Sequence, residues 1–267
     1  RYNGATWAQE AYIKASNTEG GDSFGGSVDV SADGLTLAVS ALGEDSNAQG
    51  INGAQGNNLA SSSGALYVFR RTGMVWAQEA YIKASNADSG DALSNVSLSA
   101  NGNTLLATAI AEASNATGVG GDQADNSIWQ AGAAYVFSRS GTTWTQIAYL
   151  KSAIAATAQF GYSSAISSDG ATVAIGAAYD SPADRPNAHI GLVYIFHNAG
   201  SGFALESYVR ALNADSFDYL GINTSMSGDG TLIASAASNE ASTATGVDGD
   251  GTINSLPGAG AVYLFTR

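Results

Sequence analysis

The chain has 267 residues, a formal net charge of -13, no cysteine, 33 glycines and only 12% charged residues. Without cysteine, disulfides, thiol catalysis and thiolate metal sites are excluded, and the negative charge argues against nucleic acid and anionic membranes as partners. At 45% hydrophobic the chain can bury a core, and no apolar run approaches the roughly 18 residues of a membrane span. Nothing at the N-terminus reads as a signal peptide, so the expectation is a mature or excised chain.

In chain order, the first recurring element is Trp7-Ala-Gln-Glu-Ala-Tyr-Ile-Lys14-Ala-Ser16. It returns at Trp76, at Trp144 and, more loosely, at Phe203, so the spacings are 69, 68 and 59 residues. Between these copies each unit reads as three more short strands. In the first unit, Phe24 to Ser31 alternates polar and apolar residues, the period of a strand. Asp33-Gly34 turns the chain, with Asn101-Gly102, Asp169-Gly170 and Asp229-Gly230 as its counterparts. Leu35 to Ala41 is the second strand, a long loop runs from about Leu42 to Ser63, and Ala65 to Arg70 is the third strand. The third strand carries Tyr67-Val-Phe69, matched by Tyr135-Val-Phe137, Tyr194-Ile-Phe196 and Tyr263-Leu-Phe265. Trp76 to Ser85 then forms the fourth strand.

Four-stranded units repeating every 60 to 70 residues predict an all-β, four-bladed β-propeller with four antiparallel strands per blade. The blades fall at about 24–85, 92–153, 160–212 and 220–267, in a single domain spanning 1–267. The last blade lacks a fourth strand of its own, so the expectation is that residues 1–16 join it and close the ring.

The order Phe24-Gly25, strand, Asp-Gly turn, strand, loop, Gly-Ala-x-Tyr-x-Phe resembles the FG-GAP repeat of bacterial surface proteins and, more distantly, the integrin α-chain propeller. Phe160-Gly161 repeats the opening, whereas unit two has Ala92-Leu93 and unit four Leu220-Gly221. The resemblance implies an extracellular, secreted or cell-surface role in binding or adhesion rather than catalysis. Integrin-type repeats carry a calcium loop between strands one and two. Here the turns at Asp33, Asn101, Asp169 and Asp229 are too short and too poor in carboxylates for that cage.

The loops after strands two and four share one end of the molecule and hold most of the acidic residues; Arg1, Arg70, Arg71, Arg139 and Arg267 gather at the other. Glu44, Glu112, Asp180 and Glu240 recur at one loop position and are candidates for a ligand-binding ring on the acidic face, or for caps of their own loops. Trp129, alone in a polar loop, is a candidate contact residue on that face. Asp248 and Asp250, with Glu240, are the candidate ligands for calcium. Lys14, Lys83, Lys151 and Arg210 share one outer-strand position, where a cation is expected to bar edge-to-edge pairing. Three functions follow as expectations. The first is a module that binds a glycan or protein, with calcium as an optional bridge. The second is a subunit that self-associates head to tail, acidic end to basic end. The third is a polysaccharide hydrolase acting through the loop carboxylates.

Overall fold

The computed structural model describes residues 4–267. Its strands are β1 (Phe24–Val30), β2 (Thr36–Ala41), β3 (Ala65–Thr72), β4 (Val75–Ile82), β5 (Leu93–Leu98), β6 (Thr104–Ala109), β7 (Ala133–Ser140) and β8 (Thr143–Leu150). They continue with β9 (Phe160–Ile166), β10 (Thr172–Ala177), β11 (Leu192–Asn198), β12 (Phe203–Val209), β13 (Leu220–Met226), β14 (Leu232–Ala237) and β15 (Ala261–Thr266). Each sheet is an antiparallel meander. Sheet 1 is β1-β2-β3-β4, sheet 2 is β5-β6-β7-β8, sheet 3 is β9-β10-β11-β12, and sheet 4 has three strands, β13-β14-β15. The molecule is all-β and propeller-like.

Local chemistry sets the hairpins. In the first turn the Ser31 hydroxyl and the Leu35 N–H both donate to Asp33 Oδ1, at 2.6 and 2.9 Å. Asn101, Asp169 and Asp229 do the same at their turns. These side-chain oxygens are committed to turn geometry. Backbone bonds also link the turns laterally, from Ala32 N–H to Ala100 O, Ala100 N–H to Ser168 O and Ser168 N–H to Gly228 O.

The cores lie between consecutive sheets. Leu66 and Val68 of β3 meet Val96, Leu98 and Leu105 of sheet 2. Val136 and Leu150 meet Phe160, Val173 and Ile175 of sheet 3, and Val193 and Ile195 meet Leu220 and Ile233 of sheet 4. At each junction a glycine lets two backbones touch. A Cβ on Gly132 would lie 2.1 Å from the Phe160 carbonyl oxygen, and Gly64 and Gly191 face Leu93 and Leu220 in the same way. This pairing also corrects the reading of unit two: the residue that takes the place of Phe24 is Leu93, and Ala92 precedes it at φ 61° as Ser23 precedes Phe24 at 56°.

The expected closure by the N-terminal strand is not what the structure shows. Among the described residues, Trp7 forms a β-bridge, no strand is assigned over 8–15, and sheet 4 remains three-stranded. The N-terminal segment instead lies on sheet 1, where Ile13 and Ala15 join the cluster of Val39, Tyr67, Phe69 and Tyr81.

Candidate functional site

The four recurring loop carboxylates do not line a surface. Glu44, Glu112, Asp180 and Glu240 are each at most 2% exposed, so the ring of acids expected on the loop face is corrected to a set of internal anchors. Glu44 Oε2 accepts from Lys83 Nζ at 2.7 Å and from the Ser46 N–H; Oε1 accepts from the Tyr81 hydroxyl at 2.7 Å and from Asn17 Nδ2. Glu112 repeats the set with Lys151 at 2.5 Å, Tyr149 and Asn86. Burial pushes both lysines below the usual lysine range, against the pull of their carboxylates. Lys83 and Lys151 are thus buried ion-pair partners, which corrects their assignment as edge-blocking cations.

Units three and four depart from this pattern. Asp180 is one methylene shorter; it accepts from the Tyr194 hydroxyl at 2.6 Å and from the Ser181 N–H, and burial raises its pKa. Arg210, at the position of Lys83, turns outward to Asp184. Glu240 accepts from Asn213 Nδ2 and the Ser242 N–H.

Three further loop acids, Asp22, Asp91 and Asp218, are also buried, each accepting the N–H of the residue three before it. Burial lifts the Asp91 carboxyl to about 7. The candidate calcium ligands do not converge. Asp250 accepts from the N–H and hydroxyl of Thr252, Glu240 is enclosed, and among the described residues no three carboxylate or imidazole groups gather as a metal set. Of the expected basic end, Arg1 lies outside the described residues, Arg70 donates to Thr36, and Arg71, Arg139 and Arg267 pair with Glu10 of the N-terminal segment, Glu79 and Glu206.

The loop face has other resources. Trp129 is 70% exposed. Backbone bonds from Ala60, Ile128 and Leu256 to Asp45, Ala113 and Ala241 align it with Ser61 and Pro257, so it is the aromatic member of an otherwise non-aromatic position. Sequence reading missed a second feature, a run of rings where sheets 3 and 4 meet. Tyr179 lies 4.9 Å from Tyr219, 6.1 Å from His189 and 6.3 Å from Tyr162, and Phe217 lies 5.6 Å from His189 and 6.3 Å from Tyr219. Phe217 is half exposed at φ 71°, where Gly21 and Gly90 stand in the first two units. A bulky residue in the left-handed region costs on the order of 1–2 kcal/mol. The signal in the sequence was that replacement of a turn glycine by an aromatic residue. Between the inner strands a polar cavity of about 250 Å³ is lined by Ser27, Asn95, Tyr162, Ser163, Asn223 and Thr224 among others.

A comparison with curated proteins gives no match. Among solved structures, a candidate 6-phosphogluconolactonase from Bacteroides uniformis aligns at 13% identity with a TM-score of 0.47, over 89% of this chain and 57% of that one. This chain therefore spans little more than half the length of that relative. The FG-GAP repeat family matches residues 7–69, a stretch that starts in the N-terminal segment and ends in β3. That unit joins the segment to the sheet it packs on, as the structure does. The FG-GAP repeat is thus matched over residues 7–69, and similar markers recur through the remaining units of the chain.

Proposed function

We propose that the protein is a carbohydrate-binding module of the cell exterior that takes its ligand on the loop face, against the rings at the junction of sheets 3 and 4. The observation that carries this reading is Phe217, a half-exposed ring held in left-handed backbone where the first two units use glycine. Such a position costs stability, and strain of this kind is kept where a ring must be presented. Aromatic faces stack on the C–H surfaces of sugars, and the exposed carboxylates nearby, Asp184 and Asp215, supply acceptors for hydroxyl groups. Trp129 adds a ring on the neighbouring unit. The exterior location rests on the repeat resemblance.

The two other expectations have less support. Axial stacking needs free cations at the turn end, and of the described arginines there Arg71, Arg139 and Arg267 are already paired with glutamates. Hydrolysis through Glu44, Glu112, Asp180 or Glu240 needs carboxylates that touch substrate, and all four are enclosed.

The test is retention on a panel of immobilised polysaccharides. Phe217→Gly removes the ring and relieves the backbone, so binding should fall at least about tenfold while the melting temperature holds or rises. Trp129→Ala should weaken binding less, and EDTA should leave it unchanged. Full retention by Phe217→Gly overturns the proposal.

A further inference from the structure

Each internal junction presents two side chains on the loop face, and the pairs differ in chemistry. One member stands two residues before the junction glycine; the other immediately precedes the first strand of the next sheet. At the first junction these are Ser62 and Ala92, joined by a backbone bond from the Ala92 N–H to the Ser62 oxygen at 3.1 Å. At the second they are Gln130 and Gln159, joined in the same way at 3.0 Å. His189 and Tyr219 hold these places at the third, within the ring cluster around Tyr179. All six have left-handed backbone, with φ between 47° and 61°. The presentation therefore belongs to the fold, and the side chains vary upon it.

The junction of sheets 2 and 3 is equipped for hydrogen bonding. Gln159 Nε2 donates to Gln130 Oε1 at 2.9 Å, and both residues are half-buried. That bond orients the two amides. It leaves Gln130 Nε2 as a donor and Gln159 Oε1 as an acceptor, neither with a partner among the described residues. Trp129, next in the chain to Gln130, is 70% exposed and has no hydrogen-bond or ring partner among the described residues. The surroundings carry little charge. The loop Ser152-Ala-Ile-Ala-Ala-Thr-Ala158 has no acidic residue, whereas the first junction carries Asp88 and Asp91 and the third Asp215 and Asp218 in the corresponding loops. No lysine, arginine or histidine occurs in 128–132 or 152–159. Asp125, the nearest acid along the Trp129 loop, is occupied by the Asn115 N–H and by the N–H and hydroxyl of Ser127.

We propose that this junction is a second sugar subsite, and that the ligand of the loop face is a neutral polysaccharide whose chain runs across the junctions of sheets 2–3 and 3–4. The two junctions are neighbours because sheet 3 belongs to both. One sugar hydroxyl donates to Gln159 Oε1, its neighbour on the ring accepts from Gln130 Nε2, and Trp129 offers an aromatic face to the C–H surface. A donor and an acceptor side by side match a pair of vicinal hydroxyls. A uronic acid would bring a carboxylate to a junction without a cation, on a chain of net charge -13. This subsite rests on the carbohydrate reading of the Phe217 cluster and adds to it the class of sugar and the direction of the chain.

The fold supplies the control variant. Gln130→Ser with Gln159→Ala installs the pair that the first junction already carries, so the melting temperature should hold. Affinity is measured by affinity electrophoresis on dextran, mannan and xylan, with alginate as the anionic counterpart. The parent should bind a neutral polymer and not alginate, and the double variant should bind that polymer at least about fivefold more weakly. Gln130→Glu keeps the shape but removes the donor, and should lose as much. On oligosaccharides cut from the same polymer, parent affinity should rise with chain length and that of the double variant should not. Equal binding by the parent and the double variant, with loss in Phe217→Gly, overturns the second subsite and leaves the first standing. Preference for alginate overturns the neutral ligand. A parent that binds no polysaccharide overturns both subsites.

Discussion

The first two units and the last two hold the same loop carboxylate in different company. In units one and two it is a glutamate bound by a buried lysine 39 residues later, a tyrosine and an asparagine. In unit three it is Asp180, bound by hydroxyl and N–H groups, with the arginine gone to the surface. In unit four it is Glu240, held by the asparagine and an N–H. Burying a carboxylate costs several kcal/mol unless partners compensate, and the units show different sets of partners that suffice. The anchor fixes the long loop to the outer strand and to the sheet before it, so what varies between units is how tightly the loop face is tied down.

Removing the lysine where the anchor is complete should have the largest effect. Lys83→Met leaves Glu44 buried and uncompensated, and should cost about 3–5 kcal/mol, or roughly 10 °C in melting temperature. Adding Glu44→Gln should restore much of the loss. Calorimetry on the single and double variants checks both, and a single variant that melts like the parent would mean that Tyr81 and Asn17 hold the carboxylate by themselves.

The next largest contrast is between an internal junction and the open end. Gly132 and Gly260 are both left-handed, at φ 81° and 77°. A methyl on Gly132 strikes the Phe160 backbone, whereas the nearest atom to one on Gly260 is 3.3 Å away. Gly132→Ala should cost about 3 kcal/mol or more, from overpacking added to left-handed strain. Gly260→Ala should cost about 1 kcal/mol in dilute protein. Equal losses would remove the distinction between the junction and the end.

Most of this architecture was legible because a repeat is its own alignment. The strand positions, the Asp-Gly turns and the aromatic Tyr-x-Phe strands follow from period and turn chemistry, and the observed strand ends differ by only a few residues. The buried lysines were not legible as such. A lysine on an outer strand reads as exposed because lysine is almost never enclosed without a partner, and its partner lies in a loop 39 residues away. The equal offset in units one and two was the available signal. A second signal was paired loss: where Glu79 becomes Ile147, the arginine position of the next sheet becomes Asn198, and no ion pair forms there. Closure is the expectation that the structure does not bear out: the N-terminal segment makes the contacts of an outer strand on sheet 1, but among the described residues it pairs with no strand of sheet 4.

Asp91 gives the contrast a pH dependence. Burial raises its folded pKa to about 7, above the roughly 3.9 of an unfolded aspartate. Between those values the folded chain binds the proton and the unfolded chain releases it. The contribution of Asp91 to stability is therefore complete below pH 4 and is lost as the pH rises through 7. Asp91→Asn keeps an acceptor for the Asp88 N–H and removes the titration. It should match the parent near pH 4 and melt a few degrees higher at pH 8. The same offset at both pH values would rule out titration as the cause.

The smallest effect belongs to the cation that left its anchor. Arg210 stands at the position of Lys83, but its guanidinium is 42% exposed and bonds Asp184, itself 60% exposed. Exposed pairs of this kind contribute about 0–1 kcal/mol, because solvent screens the attraction and ordering two long side chains costs entropy. Arg210→Met should thus lower stability by less than about 1 kcal/mol, and raised salt should erase the difference. Set beside Lys83→Met, the same side chain at the same repeat position separates burial from sequence position as the source of the anchor's strength. A loss from Arg210→Met as large as that from Lys83→Met would place the arginine back on Asp180, and units one and three would then share one anchor.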